Sequence, residues 1–173
     1  MKKNLKTILL CMLALMLMAS GCKKKDANNN EESNKYNIYY INRTGTSLET
    51  KKYTAKSTDT SALANEIIEQ MNTEPSSADL SSAKPENVEI DKIEISNNTI
   101  DFYYSNEYSQ MKQSEEILYR AAVVKTITQI PDINYVRFYV GDQPLLDKAG
   151  KNIGVMMASD YIENIDDAIS MHK

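Results

Sequence analysis

Residues 92–104 read KIEISNNTIDFYY, and this stretch decides the fold. Apolar side chains recur at every second residue on both sides of Asn97 and Asn98, which is the pattern of two half-buried strands joined by a tight turn. Asparagine tolerates the positive φ that such a turn requires. The stretch therefore predicts a β-hairpin, and the unit that it opens continues through a helix and a returning strand to Asp142.

Signals for strands and helices alternate on either side of the hairpin. Residues 37–42 and 48–53 have the composition of strands, and the second is polar enough for the edge of a sheet. Residues 62–71 have helical spacing and follow three candidate N-cap side chains at 59–61. Residues 135–140 alternate between apolar and polar side chains, which indicates the returning strand.

A second helix is predicted to begin at Ser114 and to end before Pro131, while the preceding residues 105–113 are predicted to be polar and exposed. The apolar stripe of this helix consists of Ile117, Ala121, Val124 and Ile127, and it is widened by Leu118 and Val123. One face of the helix should therefore lie against the sheet. We expect an α+β fold in which a small antiparallel or mixed sheet carries two main helices on one face.

Length, charge and cysteine content restrict the class of protein. A chain of 173 residues allows one ordinary domain with targeting and linker segments. Its formal net charge is −4, and loss of residues 1–21 with their three lysines would lower it to −7, which argues against nucleic acid as a partner. Both cysteines, Cys11 and Cys22, precede the predicted domain, so that domain has no thiol nucleophile, disulfide or thiolate metal site.

The N-terminus has the order of a secretory signal peptide. Three lysines precede an unbroken apolar run at 8–18, which ends in the small residues Ala19, Ser20 and Gly21. A membrane-spanning helix is the competing interpretation, but 11 residues reach only about 16 Å, roughly half of the hydrocarbon thickness. We therefore expect residues 1–21 to be a signal peptide.

The junction Ala19-Ser20-Gly21-Cys22 resembles the lipobox of bacterial lipoproteins, although Ala19 stands where that family most often has Leu. The resemblance implies cleavage between Gly21 and Cys22 and an S-diacylglyceryl group on Cys22, with or without N-acylation. Two acyl chains hold a protein stably on a membrane, whereas one does so only marginally. The expected location is the extracytoplasmic face of the cell membrane. Ordinary secretion with an unmodified Cys22 is the alternative.

Residues 22–35 are expected to form the lipidated cysteine and a flexible tether, and residues 36–173 the domain. The segment 23–35 contains one alanine and no larger apolar residue, so burial cannot offset the entropy of ordering it. As a flexible coil it would hold the domain about 20 Å from the membrane anchor on average.

No constellation in the sequence specifies a chemical reaction, and we predict no catalytic residue, no metal site and no cofactor. His172 is the only histidine, and no cysteine or carboxylate cluster stands beside it. Two carboxylate pairs offer candidates for acid–base work on a glycan: Asp101 with Glu107, and Asp91 with Glu94. The preferred interpretation of these four residues is solvated surface charge.

Tyrosines near the ends of the predicted strands are candidates for a binding surface. Strand alternation places one set on the opposite face of the sheet from the other, namely Tyr39, Tyr103 and Tyr139 against Tyr40, Tyr104 and Phe138. An exposed row of tyrosines would suit a polysaccharide or a partner strand. The alternative, in which helices or loops cover both faces, is equally compatible with the sequence.

The order strand, helix, hairpin, helix, strand resembles the GerMN domain, which is named from a bacterial sporulation and germination protein. The resemblance covers 36–165 and extends to residues. Its local matches are IDF at 100–102, EE at 115–116, KTITQIP at 125–131 and VRFYVG at 136–141. Two departures are Asn98 in place of a hairpin glycine, and Tyr103 and Tyr104, which separate the IDF strand from Ser105.

The GerMN resemblance implies an envelope protein, often lipid-anchored, with a small α+β fold similar to ring-building motifs that assemble side by side. It carries over no catalytic motif. The resulting prediction is a non-enzymatic membrane lipoprotein that acts in envelope assembly, with a role in sporulation or germination by analogy. Its protein partner would be a second copy or another envelope protein. The alternative is a small hydrolase or glycan-binding lipoprotein that acts on peptidoglycan.

Overall fold

A computed structural model describes residues 34–161. Its strands are β1 (Lys35–Asn42), β2 (Leu48–Thr54), β3 (Leu80–Ser81), β4 (Ile90–Ser96), β5 (Thr99–Tyr104), β6 (Tyr135–Val140) and β7 (Gln143–Pro144). Its helices are α1 (Thr60–Asn72) and α2 (Gln113–Ile127), with short 3₁₀ turns at Asn106–Gln110 and Ala158–Asp160. The predicted signal peptide, the Gly21–Cys22 junction and His172 lie outside the described residues, as does most of a helical turn that the sequence suggests over 161–165.

The strands form two sheets. The first has the order β2-β1-β3 and is antiparallel, and the second has the order β4-β5-β6-β7. In the second sheet β5 and β6 are parallel, because α2 crosses over between them, while the outer pairs are antiparallel. The predicted α+β class with two main helices is confirmed, and the strands expected in one small sheet are divided between two.

The central hairpin forms as predicted. β4 and β5 pair antiparallel from Ser96 opposite Thr99 at the turn, and Asn97 adopts a φ of 54°. That left-handed backbone is the conformation for which asparagine suits a tight turn. The next strand in space, β6, places Phe138 opposite Phe102, so the apolar residues of β5 and β6 fall on one face.

Helix α1 is fixed at both its start and its middle. Asp59 is its N-cap and accepts hydrogen bonds from the backbone N–H groups of Ser61 and Ala62, at 3.1 and 3.0 Å. Glu66 accepts from the Tyr53 hydroxyl at 2.7 Å and from two backbone N–H groups of the β2–α1 connection at 2.8 Å. These bonds lower the pKa of Glu66 to about 2, and the bond from the backbone N–H of Lys56 makes the largest contribution.

Helix α2 lies deeper in the core than its apolar stripe predicts. Between Leu118 and Ile127 only Arg120 and Lys125 are not buried. One reason is that the helix also covers the edge of β1 that β2 leaves open. There the Tyr39 N–H donates to Thr126 Oγ1 at 3.2 Å. The prediction of a single buried face is therefore replaced by a helix buried around most of its circumference.

Residues 105–113 are mostly exposed, as predicted, but Tyr108 contributes to the core. The 3₁₀ turn Asn106–Gln110 folds Tyr108 inward, leaving it 2% exposed, with its ring centroid 4.8 Å from that of Tyr104. Tyr104 in turn lies 5.8 Å from Tyr119 of α2 and 6.1 Å from Phe138 of β6. An aromatic cluster therefore joins the second sheet to α2.

Candidate interaction surface

The second sheet presents polar and aromatic residues on the face opposite the aromatic cluster. Strand register aligns them in two rows across β4, β5 and β6. We call this surface the outer ladder; its rows are Lys92, Tyr103 and Tyr139, and Glu94, Asp101 and Arg137. The Lys92, Glu94 and Arg137 side chains are 48, 54 and 38% exposed, so this face is open to solvent.

The row of Lys92, Tyr103 and Tyr139 is closely stacked. The two tyrosine rings are 4.6 Å apart between centroids and inclined by 12°. Lys92 Nζ lies 4.0 Å from the centroid of Tyr103, on the side of β4, whereas Tyr139 stands on the side of β6. Both faces of the Tyr103 ring are therefore covered, and its hydroxyl donates to Glu94 Oε2 at 3.1 Å. Of the Tyr103 ring, only the edge is therefore left uncovered.

The second row is held by charge-assisted hydrogen bonds. Arg137 donates from Nε and Nη2 to the two carboxylate oxygens of Asp101, at 2.8 and 2.6 Å. This bidentate bond raises the pKa of Arg137 and covers Asp101, which is 6% exposed. Lys92 and Glu94 form a second ion pair at 3.1 Å. That hydrogen bond, followed by the bond from Tyr103, lowers the pKa of Glu94.

Two of the four carboxylates that the sequence singled out are engaged with other side chains of the outer ladder. Asp101 binds Arg137, and Glu94 binds Lys92 and Tyr103. Solvated charge is the wrong interpretation for Asp101, which is buried. A general acid for glycan hydrolysis needs a raised pKa, whereas the pKa of Glu94 is lowered by Lys92 and that of Glu107 by Ser105. Among residues 34–161 no group of His, Cys, Asp and Glu side chains is placed to hold a metal ion.

The predicted tyrosine row is confirmed for two of its three members. Tyr103 and Tyr139 stack, but Tyr39 lies in β1 of the first sheet, where the Lys125 ammonium is 5.9 Å from its ring centroid. Sequence reasoning missed Lys92 and Arg137. Alternation places Arg137 on the same face as Tyr139, but the parallel pairing that brings it to Asp101 is not a local feature of the sequence.

Comparison with known proteins identifies the family. Residues 37–146 match the family model described as "Germane: Sporulation and spore germination". The chain belongs to this family. The prediction of a GerMN-type domain is thereby confirmed. The sequence has no match among the curated proteins.

Two solved structures share the GerMN fold. The first GerMN domain of the sporulation protein GerM from Bacillus subtilis has a TM-score of 0.58 at 18% identity, covering 73% of this chain and 98% of that one. The tandem GerMN domains of the same protein give a TM-score of 0.60 at 18% identity and cover 74% of this chain. This chain spans 47% of the tandem structure, about half of its length. At this level of identity the likeness concerns the fold.

One of the two departures of this GerMN chain from the family pattern involves both faces of the second sheet. The residues that separate its IDF strand from Ser105 are Tyr103 and Tyr104, the first on the open face and the second in the aromatic cluster.

Within residues 34–161 no helix combines the length and apolar character needed to cross a membrane.

Proposed function

We propose that this protein is a non-enzymatic lipoprotein, anchored through Cys22 on the extracytoplasmic face of the cell membrane, whose GerMN domain binds protein partners in envelope assembly. The family description supports a setting in sporulation or germination. The observation that carries the binding role is the outer ladder, a preformed row of tyrosine edges and paired charges on an open sheet face. The partner is a second copy of the chain or another envelope protein.

The ladder suits a protein better than a glycan. A sugar ring packs its C–H groups on an open aromatic face, and Tyr103 has none, because Lys92 covers one side and Tyr139 the other. Tyrosine and arginine are the residues that most often dominate the binding energy of protein interfaces. Since existing contacts already hold these side chains in place, little conformational entropy is lost when a partner binds.

The anchor is tested by Cys22→Ser, with Cys11→Ser as the matched control. Cys22→Ser should abolish labelling by an alkyne fatty acid and release the protein from the membrane fraction, because no thiol remains at the predicted cleavage junction. Cys11 lies inside the apolar run, so Cys11→Ser should leave labelling unchanged. Membrane retention of the Cys22→Ser protein, or an unacylated wild-type chain in the culture fluid, would refute the anchor.

The binding surface is tested by photo-crosslinking in cells. A benzoylphenylalanine at position 139 should give a specific adduct, whereas the same group at Thr50, on the exposed edge strand β2 of the other sheet, should give none. An adduct of twice the chain mass identifies a second copy, and any other mass an envelope partner. Equal crosslinking at both positions would remove support for the ladder.

The rival function is an enzymatic one and has a separate test. Zymography of the purified chain on peptidoglycan should show no clearing, because the pKa values of Glu94 and Glu107 are lowered, whereas a general acid needs a raised one. Clearing that disappears in Glu94→Gln would favour the hydrolase and contradict the proposed role.

A further inference from the structure

A second surface lies away from the outer ladder. It is a groove of about 840 Å³ between α2 and the segment 145–153, and none of the six ladder residues lines it. We call it the C-terminal groove. Polar and apolar side chains both line it, and the principal apolar ones are Met111, Ile117, Leu145, Leu146 and Ile153.

The wall formed by residues 145–153 is held in shape by its own hydrogen bonds. Leu146 pairs with Asn152 in an antiparallel bridge, and the Ile153 N–H donates to the Leu145 carbonyl at 3.0 Å. Asp147 Oδ1 accepts from two backbone N–H groups of the turn, at 2.9 and 2.8 Å. The groove is therefore preformed.

Exposed apolar surface is concentrated at this end of the domain. Among residues 34–161 the exposed large hydrophobic side chains are Leu146, Val155 and Met157, at 54, 54 and 38%. All three belong to the stretch that forms the groove wall and continues from it. Single exposed apolar residues are ordinary, but a group of them beside a groove indicates a surface that is covered by something.

The charges around the groove favour an acidic occupant. Lys148 and Lys151 line it, and neither forms an ion pair with another described residue. The third cation, Arg120, is neutralised by Glu116, to which its Nη2 donates at 2.9 Å. The groove therefore combines apolar side chains with two ammonium groups that have no ion-pair partner within residues 34–161.

The chain leaves the described region beside this groove. The Tyr161 hydroxyl donates to Met156 Sδ at 2.6 Å, and the Arg120 guanidinium lies 5.9 Å from the Tyr161 ring centroid. Arg120 itself lines the groove. Tyr161, the last described residue, therefore lies beside a residue that lines the groove.

The sequence that follows Tyr161 has the matching chemistry. Residues 162–173 read IENIDDAISMHK, with isoleucines at 162, 165 and 169 and acidic residues at 163, 166 and 167. This is the spacing of one apolar and one acidic helix face. As a helix, these residues would reach about 18 Å, and the groove wall from Gln113 to Arg120 is about 10 Å long. The segment is therefore long enough to span the groove.

We propose that residues 162–173 dock in the C-terminal groove, placing their isoleucines on its apolar side chains and their carboxylates near Lys148 and Lys151. The occupant is then part of the same chain, and it covers the exposed side chain of Leu146. The proposal does not depend on the lipid anchor or on the outer ladder.

The first test compares neighbouring substitutions in the full chain, held in detergent. Ile169→Asp should speed amide exchange in residues 145–153 about tenfold, because the occupant leaves the groove. Ser170→Asp introduces the same residue on the acidic side of the pattern and should leave exchange unchanged. Unchanged exchange in Ile169→Asp, or protection that rises with protein concentration as a second copy would require, overturns the proposal.

The second test supplies the segment in trans. A peptide of residues 162–173 added to the chain carrying Ile165→Asp and Ile169→Asp should restore slow exchange in residues 145–153, and salt should weaken its binding. The same chain with Lys148→Glu and Lys151→Glu should bind the peptide at least about tenfold more weakly. A peptide that fails to bind, or that protects a different part of the domain, refutes the assignment.

Discussion

The two faces of the second sheet use the same strands for different purposes. On the inner face, Ile100, Phe102 and Tyr104 of β5 meet Val136 and Phe138 of β6, and none is more than 4% exposed. On the outer face the alternate residues of the same strands form the ladder of tyrosines and ion pairs. Adjacent residues of one strand therefore belong to different environments.

Tyr103 and Tyr104 show what the difference means physically. Tyr104 is fully buried, its hydroxyl accepts a hydrogen bond from Tyr119 at 3.1 Å, and burial raises its pKa well above the ordinary value. Tyr103 is half-buried and stacked between Lys92 and Tyr139. The inner tyrosine contributes mainly to stability, and the outer one is available for recognition.

The largest effect is expected on the inner face, from Tyr104→Ala. Removal of a fully buried aromatic side chain should lower the free energy of unfolding by about 3–5 kcal/mol, and it would also leave the Tyr119 hydroxyl unpaired. Urea denaturation followed by circular dichroism measures the loss. Tyr104→Phe keeps the ring and should cost only about 1 kcal/mol. Equal losses for the two variants would mean that the hydrogen bond, not the packing, matters.

A smaller effect is expected from Arg137→Met on the outer face. The substitution leaves the Asp101 carboxylate, whose side chain is only 9% exposed, without its bidentate partner. We expect a loss of about 1–3 kcal/mol, below the range for a fully buried pair because the guanidinium is 38% exposed. A double-mutant cycle with Asp101→Asn measures the coupling. Additive losses would show that the two residues do not stabilise each other.

Local patterns in the sequence predicted the parts of this comparison that depend on neighbouring residues. The hairpin follows from period-two alternation around Asn97, and the start of α1 from the side chain of Asp59. Alternation also placed Tyr103 and Tyr139 on the same face. Each of these features is complete within a few residues, so each can be read without knowledge of the fold.

Features that depend on distant segments could not be predicted in this way. Tyr108 stands among polar residues, and only the 3₁₀ turn shows that it packs on Tyr104. The pair of Asp101 and Arg137 joins residues 36 positions apart, and it depends on the register that the α2 crossover sets. Helix α2 is likewise buried by β1 as well as by the second sheet. An apolar stripe in the sequence indicates only one contact face, so the second contact could not be predicted from it.

Tyr103→Ala should lower stability less than Tyr104→Ala or Arg137→Met does. Its effect on partner binding should be larger than theirs. The stacked pair with Tyr139 contributes about 0.5–1.5 kcal/mol beyond area burial. We expect a loss near this value in urea denaturation, together with loss of the specific crosslink at position 139. Tyr103→Phe, which loses only the bond to Glu94, is the control. If Tyr103→Ala lowered the free energy of unfolding as much as Tyr104→Ala does, the prediction would be wrong, because Tyr103 would then contribute to stability as a core residue does.

The smallest effect concerns the pKa of Glu94. Because its pKa is lowered in the folded protein, its contribution to stability is present above the ordinary carboxyl value of 4.5 and is lost as the pH falls through the lowered one. NMR titration of the Glu94 carboxyl carbon should show the lowered pKa. Lys92→Met should move it back toward 4.5, and Tyr103→Phe should move it less, since the lysine makes the larger contribution. A pKa unchanged by Lys92→Met would mean that the exposed ion pair is screened by solvent and does not help to order the outer face.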